Sequence, residues 1–253
     1  MTSETTAKRA VFRRLHESGH FILPNPWDVG SALRLEKMGF KALASTSAGF
    51  AWSIGREDGE ATLEEVLNHL RELCNATNLP INADFEGGYA DRPEDVAVNV
   101  TRAVETGVAG LSIEDRTGQE LYPLSLAIER IQAAREAIDA TGEDVMLVGR
   151  TEGYLIGQTD IDVAIERLVA YSAAGADVLY APWVIELAEN KAIVEAVAPR
   201  PVNVLLRTPD MNVADLAAIG VRRMSTGGWL GRYAWAAFER AAISIRDDGH
   251  MPE

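Results

Sequence analysis

Short apolar runs, each followed by a longer stretch with one apolar face, alternate along nearly the whole chain. The runs are FILPN (21–25), ALAST (42–46), PINADF (80–85), GLSIED (110–115), VMLVGR (145–150), VLYAP (178–182), PVNVLL (201–206) and RRMST (222–226). Their length and their Val, Ile, Leu and Ala content predict strands. Stretches between them, such as TLEEVLNHLRELCNAT and DIDVAIERLVAYSAAG, carry the periodicity of helices. Several end in glycine just before the next run, as in EKMGFKAL, VETGVAGL, SAAGADVL and AAIGVRRM. Glycine there stops a helix by adopting the left-handed conformation. Eight such units predict an α/β fold, the (β/α)8 TIM barrel, with an extra helix over 4–18. A doubly wound open sheet is the competing arrangement. It would want G-x-G-x-x-G after the first strand, and PNPWDVGS has none.

Composition narrows the picture. The 253 residues suit one barrel domain over 1–253. A net charge of -14 argues against a nucleic-acid partner, because neutralising phosphates takes clustered Lys and Arg. The single cysteine, Cys74, excludes an internal disulfide framework and a Cys-based zinc cage, and it suits a reducing compartment. The N-terminus MTSETTAKRAVFRRLHESG has no signal-peptide core, and no apolar run reaches membrane-spanning length. A cytoplasmic protein without a membrane partner is expected.

In a barrel the chemistry sits at the C-terminal ends of the strands. The polar residues there are Asn25 and Asp28, Ser47, Asp84 and Glu86, Glu114 and Asp115, Arg150 and Glu152, and Asn203. Asp84 and Glu86 alternate, so along a continuing strand they would share a face. With Glu114 they offer oxygen donors and no nearby Cys or His, the set preferred by Mg2+ rather than zinc, some of it acting through water. Solvent-facing loop acids are the competing explanation for Asp84 and Glu86, and a cap or an ion pair with Arg116 for Glu114.

Arg150 ends an otherwise apolar strand, where a guanidinium is costly unless it meets an anion. A substrate carboxylate would suit it, and so would an internal pair with those same acids. Ser47, Ala48 and Gly49 form a small-residue stretch that lets backbone N–H groups approach an anion. Asp58 is either the cap of a helix starting at Thr62 or a further acid of the site. None of the four histidines falls at a strand end, which disfavours a Ser-His-Asp triad.

Five motifs in order, NPWDVGSALRLEKMGFKALASTSAGFA, ADFEGGYAD, SIEDRTG, VGRTEGYLIG and AAGADVLYAP, carry a resemblance to the isocitrate lyase/phosphoenolpyruvate mutase superfamily over roughly residues 10–245. The resemblance implies a (β/α)8 barrel and Mg2+, or Mn2+ in its place, held through Asp84, Glu86 and Glu114. It makes Asp58 a further active-site acid and Glu114 and Arg150 catalytic. Ser47, Ala48 and Gly49, with Arg150 and Asn203, would bind a small carboxylate substrate. It also implies a homodimer or homotetramer exchanging a C-terminal helix, which the tail GWLGRYAWAAFERAAISI would suit.

The departures are informative. The lyases of this superfamily carry a K-K-C-G-H loop and a Glu after the sixth strand. Here EDRTGQELYPLS follows the fourth strand and Pro182 the sixth. The gating loop and the histidine of the phosphonomutases are absent too. The expected function is therefore a Mg2+-dependent lyase or decarboxylase that cleaves a C–C bond of a small α-oxo or 2-hydroxy di-acid through an enolate. Phosphoenolpyruvate or phosphonopyruvate mutase or hydrolase chemistry is the first alternative, and a non-catalytic carboxylate-binding barrel the second.

Overall fold

The computed structural model describes residues 2–252. Helix α1 (Ser3–Leu15) leads into β1 (Phe21–Leu23), α2 (Val29–Lys37), β2 (Leu43–Ala44), α3 (Ser47–Ser53), α4 (Leu63–Ala76), β3 (Ile81–Asp84), α5 (Pro93–Val104) and β4 (Gly110–Glu114). A two-stranded ribbon, β5 (Arg116–Thr117) with β6 (Glu120–Leu121), precedes α6 (Leu124–Ala140) and β7 (Met146–Arg150). A 3₁₀ turn at Gly153–Ile156 follows, then α7 (Ile161–Ala173), β8 (Val178–Tyr180), α8 (Leu187–Val197), β9 (Val202–Leu205), α9 (Val213–Ala218), β10 (Arg223–Ser225) and α10 (Trp229–Asp248).

All eight expected strands form, in one parallel sheet ordered β1-β10-β9-β8-β7-β4-β3-β2. The ends of that order meet where the Ala44 N–H donates to the Pro24 carbonyl at 3.1 Å, so a single backbone bond spans the β1/β2 seam. Asn25 fastens the same edge: its Nδ2 donates to Ser45 O at 2.8 Å, and its Oδ1 accepts from the Thr226 and Gly227 N–H groups, each at 2.9 Å.

Two apolar layers follow from the strand alternation. The larger lies between sheet and helices and includes Leu67, Leu70, Val100, Ile131 and Leu179. The smaller fills the barrel interior with Phe21, Leu23, Met146, Val148 and Val178, and is joined by Phe12 from α1. Helix α1 thus closes the N-terminal end of the barrel. A side chain at Gly110 would lie 2.8 Å from the Phe12 ring and 2.8 Å from Asn82 Oδ1, so only glycine leaves room for the stopper. Arg9, buried on the same helix, donates to Val108 O and Val104 O, both at 2.9 Å, and pairs with Glu143.

His16 continues this packing. It stands edge-on to Phe12 and Phe21, and its Nδ1 lies 2.8 Å from Phe12 O. Burial, then the Arg223 charge, pushes its pKa down to about 3, and burial pushes that of His69 down to about 4. Below about pH 6.5 the unfolded chain protonates both rings while the folded chain keeps them neutral, so their contribution is present above that pH and lost as pH falls towards 4. Each histidine should cost stability at about 1.4 kcal/mol per pH unit there. Urea unfolding at pH 7.0 and 5.5 should show a smaller difference in His16→Phe than in the parent.

Three features differ from the sequence expectation. The small-residue stretch after β2, too short to show a helical period, forms the seven-residue α3, capped by Thr46, whose side chain accepts from Gly49 N. The helix after it begins at Leu63 with Thr62 as its cap, in a reciprocal box with Glu65, so Asp58 is not that cap. The strand carrying Asp84 ends there, and Glu86 has left-handed backbone with φ 47°. The shared-face argument for those two acids therefore fails.

Candidate active site

A cavity of about 470 Å³ opens at the C-terminal ends of the strands. Its centre is a chain of charged contacts laid across three adjacent strands. Arg150, last in β7, donates from Nη1 to Asp84 Oδ1 at 3.0 Å, lies with Nη2 3.4 Å from Glu114 Oε2, and donates from Nε to Glu152 Oε1. Asp84, last in β3, accepts on Oδ2 from the Ser47 N–H at 2.9 Å, and its own N–H donates to Ser45 Oγ at 2.9 Å. Parallel register makes this possible, since Glu114 is paired with Arg150 across β4 and β7. Of the two partners weighed for it, Arg150 meets the internal acids, and it also lines the cavity.

Charge is unevenly balanced around that chain. Desolvation works against the Arg150 cation, but Glu152, Glu114 and Asp84 outweigh it and hold it firmly protonated. Glu114 is buried, and desolvation raises its carboxyl pKa despite Arg150, with Arg116 3.8 Å away. Glu152 is fully buried and raised for the same reason, and its Oε2 has no partner. Asp58 reaches the cavity from the loop after α3. Desolvation in the cleft and then the Asp84 charge raise it, while Ser47 and Arg150 oppose.

Glu86 points into a neighbouring recess with Tyr89 and Arg116, where Tyr89 donates to its Oε1 at 2.6 Å. Desolvation holds Glu86 up at about 7, the Tyr89 bond opposes, and Asp84 and Asp58 add to the rise. Its position is fixed from behind, because the Glu114 N–H donates to Glu86 O at 3.0 Å.

The other expected residues divide. Ser47, Ala48 and Asn203 line the cavity. Gly49 is buried: a side chain there would meet Thr46 at 2.6 Å and Trp27 at 3.0 Å, and its N–H is used in capping α3. With the Ser47 N–H given to Asp84, Ala48 carries the free backbone donor of this trio among the described residues. Asn203 lies in the floor, donating to Ser225 Oγ and accepting from Arg223 Nε, both at 2.9 Å. Asp115 is structural: it accepts from Glu152 N, Arg167 and Tyr171 at 2.9, 3.0 and 2.5 Å. No group of three or more His, Cys, Asp or Glu side chains converges closely enough to hold a metal ion by itself among the described residues.

Sequence reasoning missed the outer wall. Trp52, Trp183, Arg207, Trp229 and Arg232 line the mouth, from α3, the β8 and β9 exits and the first turn of α10. The cues were the APW after the sixth run and the LLR after the seventh.

An eight-stranded barrel with acids and an arginine at its C-terminal rim has the layout of the barrel enzymes, whose active sites lie among the βα loops. The family model described as phosphoenolpyruvate phosphomutase matches residues 12–246. The chain belongs to this family, within the isocitrate lyase/phosphoenolpyruvate mutase superfamily, and is an enzyme of that type. It is 33% identical to a 2-methylisocitrate lyase of Escherichia coli (strain K12) over 66% of this chain and 58% of that one. It is 34% identical to an oxaloacetate decarboxylase of Rhodopseudomonas palustris (strain BisB18) over 64% of this chain and 57% of that one. A crystal structure from Burkholderia cenocepacia J2315, described as that of a candidate lyase/mutase, superposes with a TM-score of 0.95 at 44% identity, covering 98% of this chain and 92% of the other.

Proposed function

We propose that this protein cleaves a C–C bond of a small α-oxo di-acid, with decarboxylation of an oxaloacetate-like acid as the reaction that suits its residues best. The observation that carries this is the Ser47–Asp84–Arg150 chain on the cavity wall, next to a β4–α6 connection that holds neither Cys nor His. Decarboxylation needs an electron sink for the pair left by departing CO2, whereas retro-aldol cleavage also needs a base for a hydroxyl. Tyr122, in that connection, is committed to Asp91.

In this reading Arg150 and the Ala48 N–H grip the carboxylate and oxo oxygens and stabilise the negative charge that develops on them. Asp58, whose pKa is raised by desolvation and then by the Asp84 charge, is the acid that hands a proton to the enolate carbon after CO2 leaves.

The donor set fits Mg2+, with Mn2+ a substitute. Asp58, Asp84, Glu86, Glu114 and Glu152 outnumber the guanidinium groups of Arg150 and Arg116, and desolvation raises four of them. A divalent cation would relieve that excess. Because no three side chains converge, Asp84 would hold it with Glu86 and Glu114 acting through water, as a strongly hydrated ion prefers. When bound, Mg2+ supplies Lewis-acid stabilisation of the enolate.

Helix α10 is proposed as the subunit contact of a homodimer or homotetramer. It exposes Tyr233, Phe238, Ile243 and Ile245, and among the described residues only Gly231 of this helix is buried. Among the described residues no helix is long and apolar enough to cross a membrane.

The test is a turnover screen with Mg2+ over oxaloacetate, 2-hydroxy di-acids and phosphonopyruvate. Pyruvate release from oxaloacetate is expected. Turnover of phosphonopyruvate alone, or none of the panel, would overturn the proposal.

A further inference from the structure

The cavity's cations are not all spent on its acids. Arg150 is paired three times over. Arg207 and Arg232, farther out, have no carboxylate within 4.0 Å among the described residues. Both lie on aromatic rings instead: the Arg207 guanidinium is 3.6 Å from the Trp183 ring centre, and that of Arg232 is 4.9 Å from Trp52 and 5.7 Å from Trp229. An aromatic face orients a guanidinium without neutralising it and leaves its edge free for an anion. Arg207 Nε is buried with no hydrogen-bond partner.

Backbone strain points to the same place. Trp183 has φ 72°, a strained conformation for a bulky residue of the kind that clusters at active sites and ligand clamps. It follows Pro182, leaves 38% of its surface exposed, and forms the shelf for Arg207. A protein of net charge -14 has many carboxylates with which to satisfy two arginines, yet leaves these two open at the mouth of this cavity.

We infer that Arg207 on Trp183, flanked by Arg232, binds the carboxylate of the substrate remote from Arg150, and so selects di-acids over mono-acids. The inference rests on the carboxylate-substrate reading above and names the residues that read the second charge. A carboxylate there would accept from the Arg207 edge and lie beside the Arg232 charge, while the reacting end stays against Arg150 and Ala48. In oxaloacetate the carboxylate held there is the one that leaves as CO2, so Arg207 and Arg232 select for its charge and orient it, while the electron pair of the broken C3–C4 bond is received at the Arg150 end.

Titration calorimetry with Mg2+ present tests it, using 2-oxoglutarate and its mono-acid isostere 2-oxopentanoate as probes and oxalate as a control for the Arg150 end. The parent should prefer 2-oxoglutarate by about 10-fold or more, the worth of one charge-assisted contact. Arg207→Ala should shrink the preference to about 2-fold or less, Arg207→Lys should keep part of it, and oxalate affinity should not move. No preference in the parent, or a preference that survives in the Arg207→Ala/Arg232→Ala double variant, overturns the inference. If oxaloacetate is turned over but the double variant keeps its preference, the subsite falls and the reaction stands. If the preference depends on Arg207 but nothing is turned over, the reaction falls and the subsite stands.

Discussion

Replacing Arg150 with methionine is expected to lower kcat/KM for an α-oxo di-acid by about 10³-fold, because the group that meets developing negative charge is gone. The same change should unsettle the fold. Asp84, Glu114 and Glu152 all point their oxygens at this one guanidinium. Removing one partner of a buried ion pair costs about 3–5 kcal/mol. The pH dependence identifies the cause. Without Arg150 the buried carboxyls take up protons more readily folded than unfolded, so the loss should be largest near pH 8 and shrink as pH falls towards 5. Denaturant unfolding of Arg150→Met across that range should show this convergence with the parent. A pH-independent loss would mean that packing, not charge, is what Arg150 supplies.

Asp84→Asn is expected to abolish the response to Mg2+. Asp84 joins the Ser47 N–H to the Arg150 guanidinium, and asparagine keeps its size while removing the charge. In the parent, Mg2+ should raise the melting temperature in a concentration-dependent way, because it binds only the folded chain. In the variant that curve should be flat and turnover about 10²- to 10³-fold lower. Full activity in the variant would place the cation elsewhere.

Much of the frame was legible because its causes are local. Eight buried parallel strands separated by helices leave a repeating apolar signal, and every expected strand appears with no end trimmed by more than two residues. Helix α3 escaped because seven residues, one of them Gly49, are too few to show a period. Arg150 and Asp84 could be found since each is the charge that closes a buried strand at the rim where barrel chemistry sits. Glu86 was found by an argument that does not hold: the strand stops at Asp84, and the turn, not the pleat, carries Glu86 round to where it feels the Asp84 charge. Arg207 and Arg232 were invisible for a different reason. What singles them out is the absence of a nearby acid, and that depends on how distant segments pack.

The α1 stopper makes the barrel a flask with one neck. Phe12 fills its base and Arg9 stitches that helix to the carbonyls beneath. Whatever enters must leave by the same opening, past the stacked rings and guanidinium groups of the rim. A reaction that splits one molecule in two would then have to release its fragments in sequence, the smaller and less charged slipping out ahead of the one still gripped by arginine.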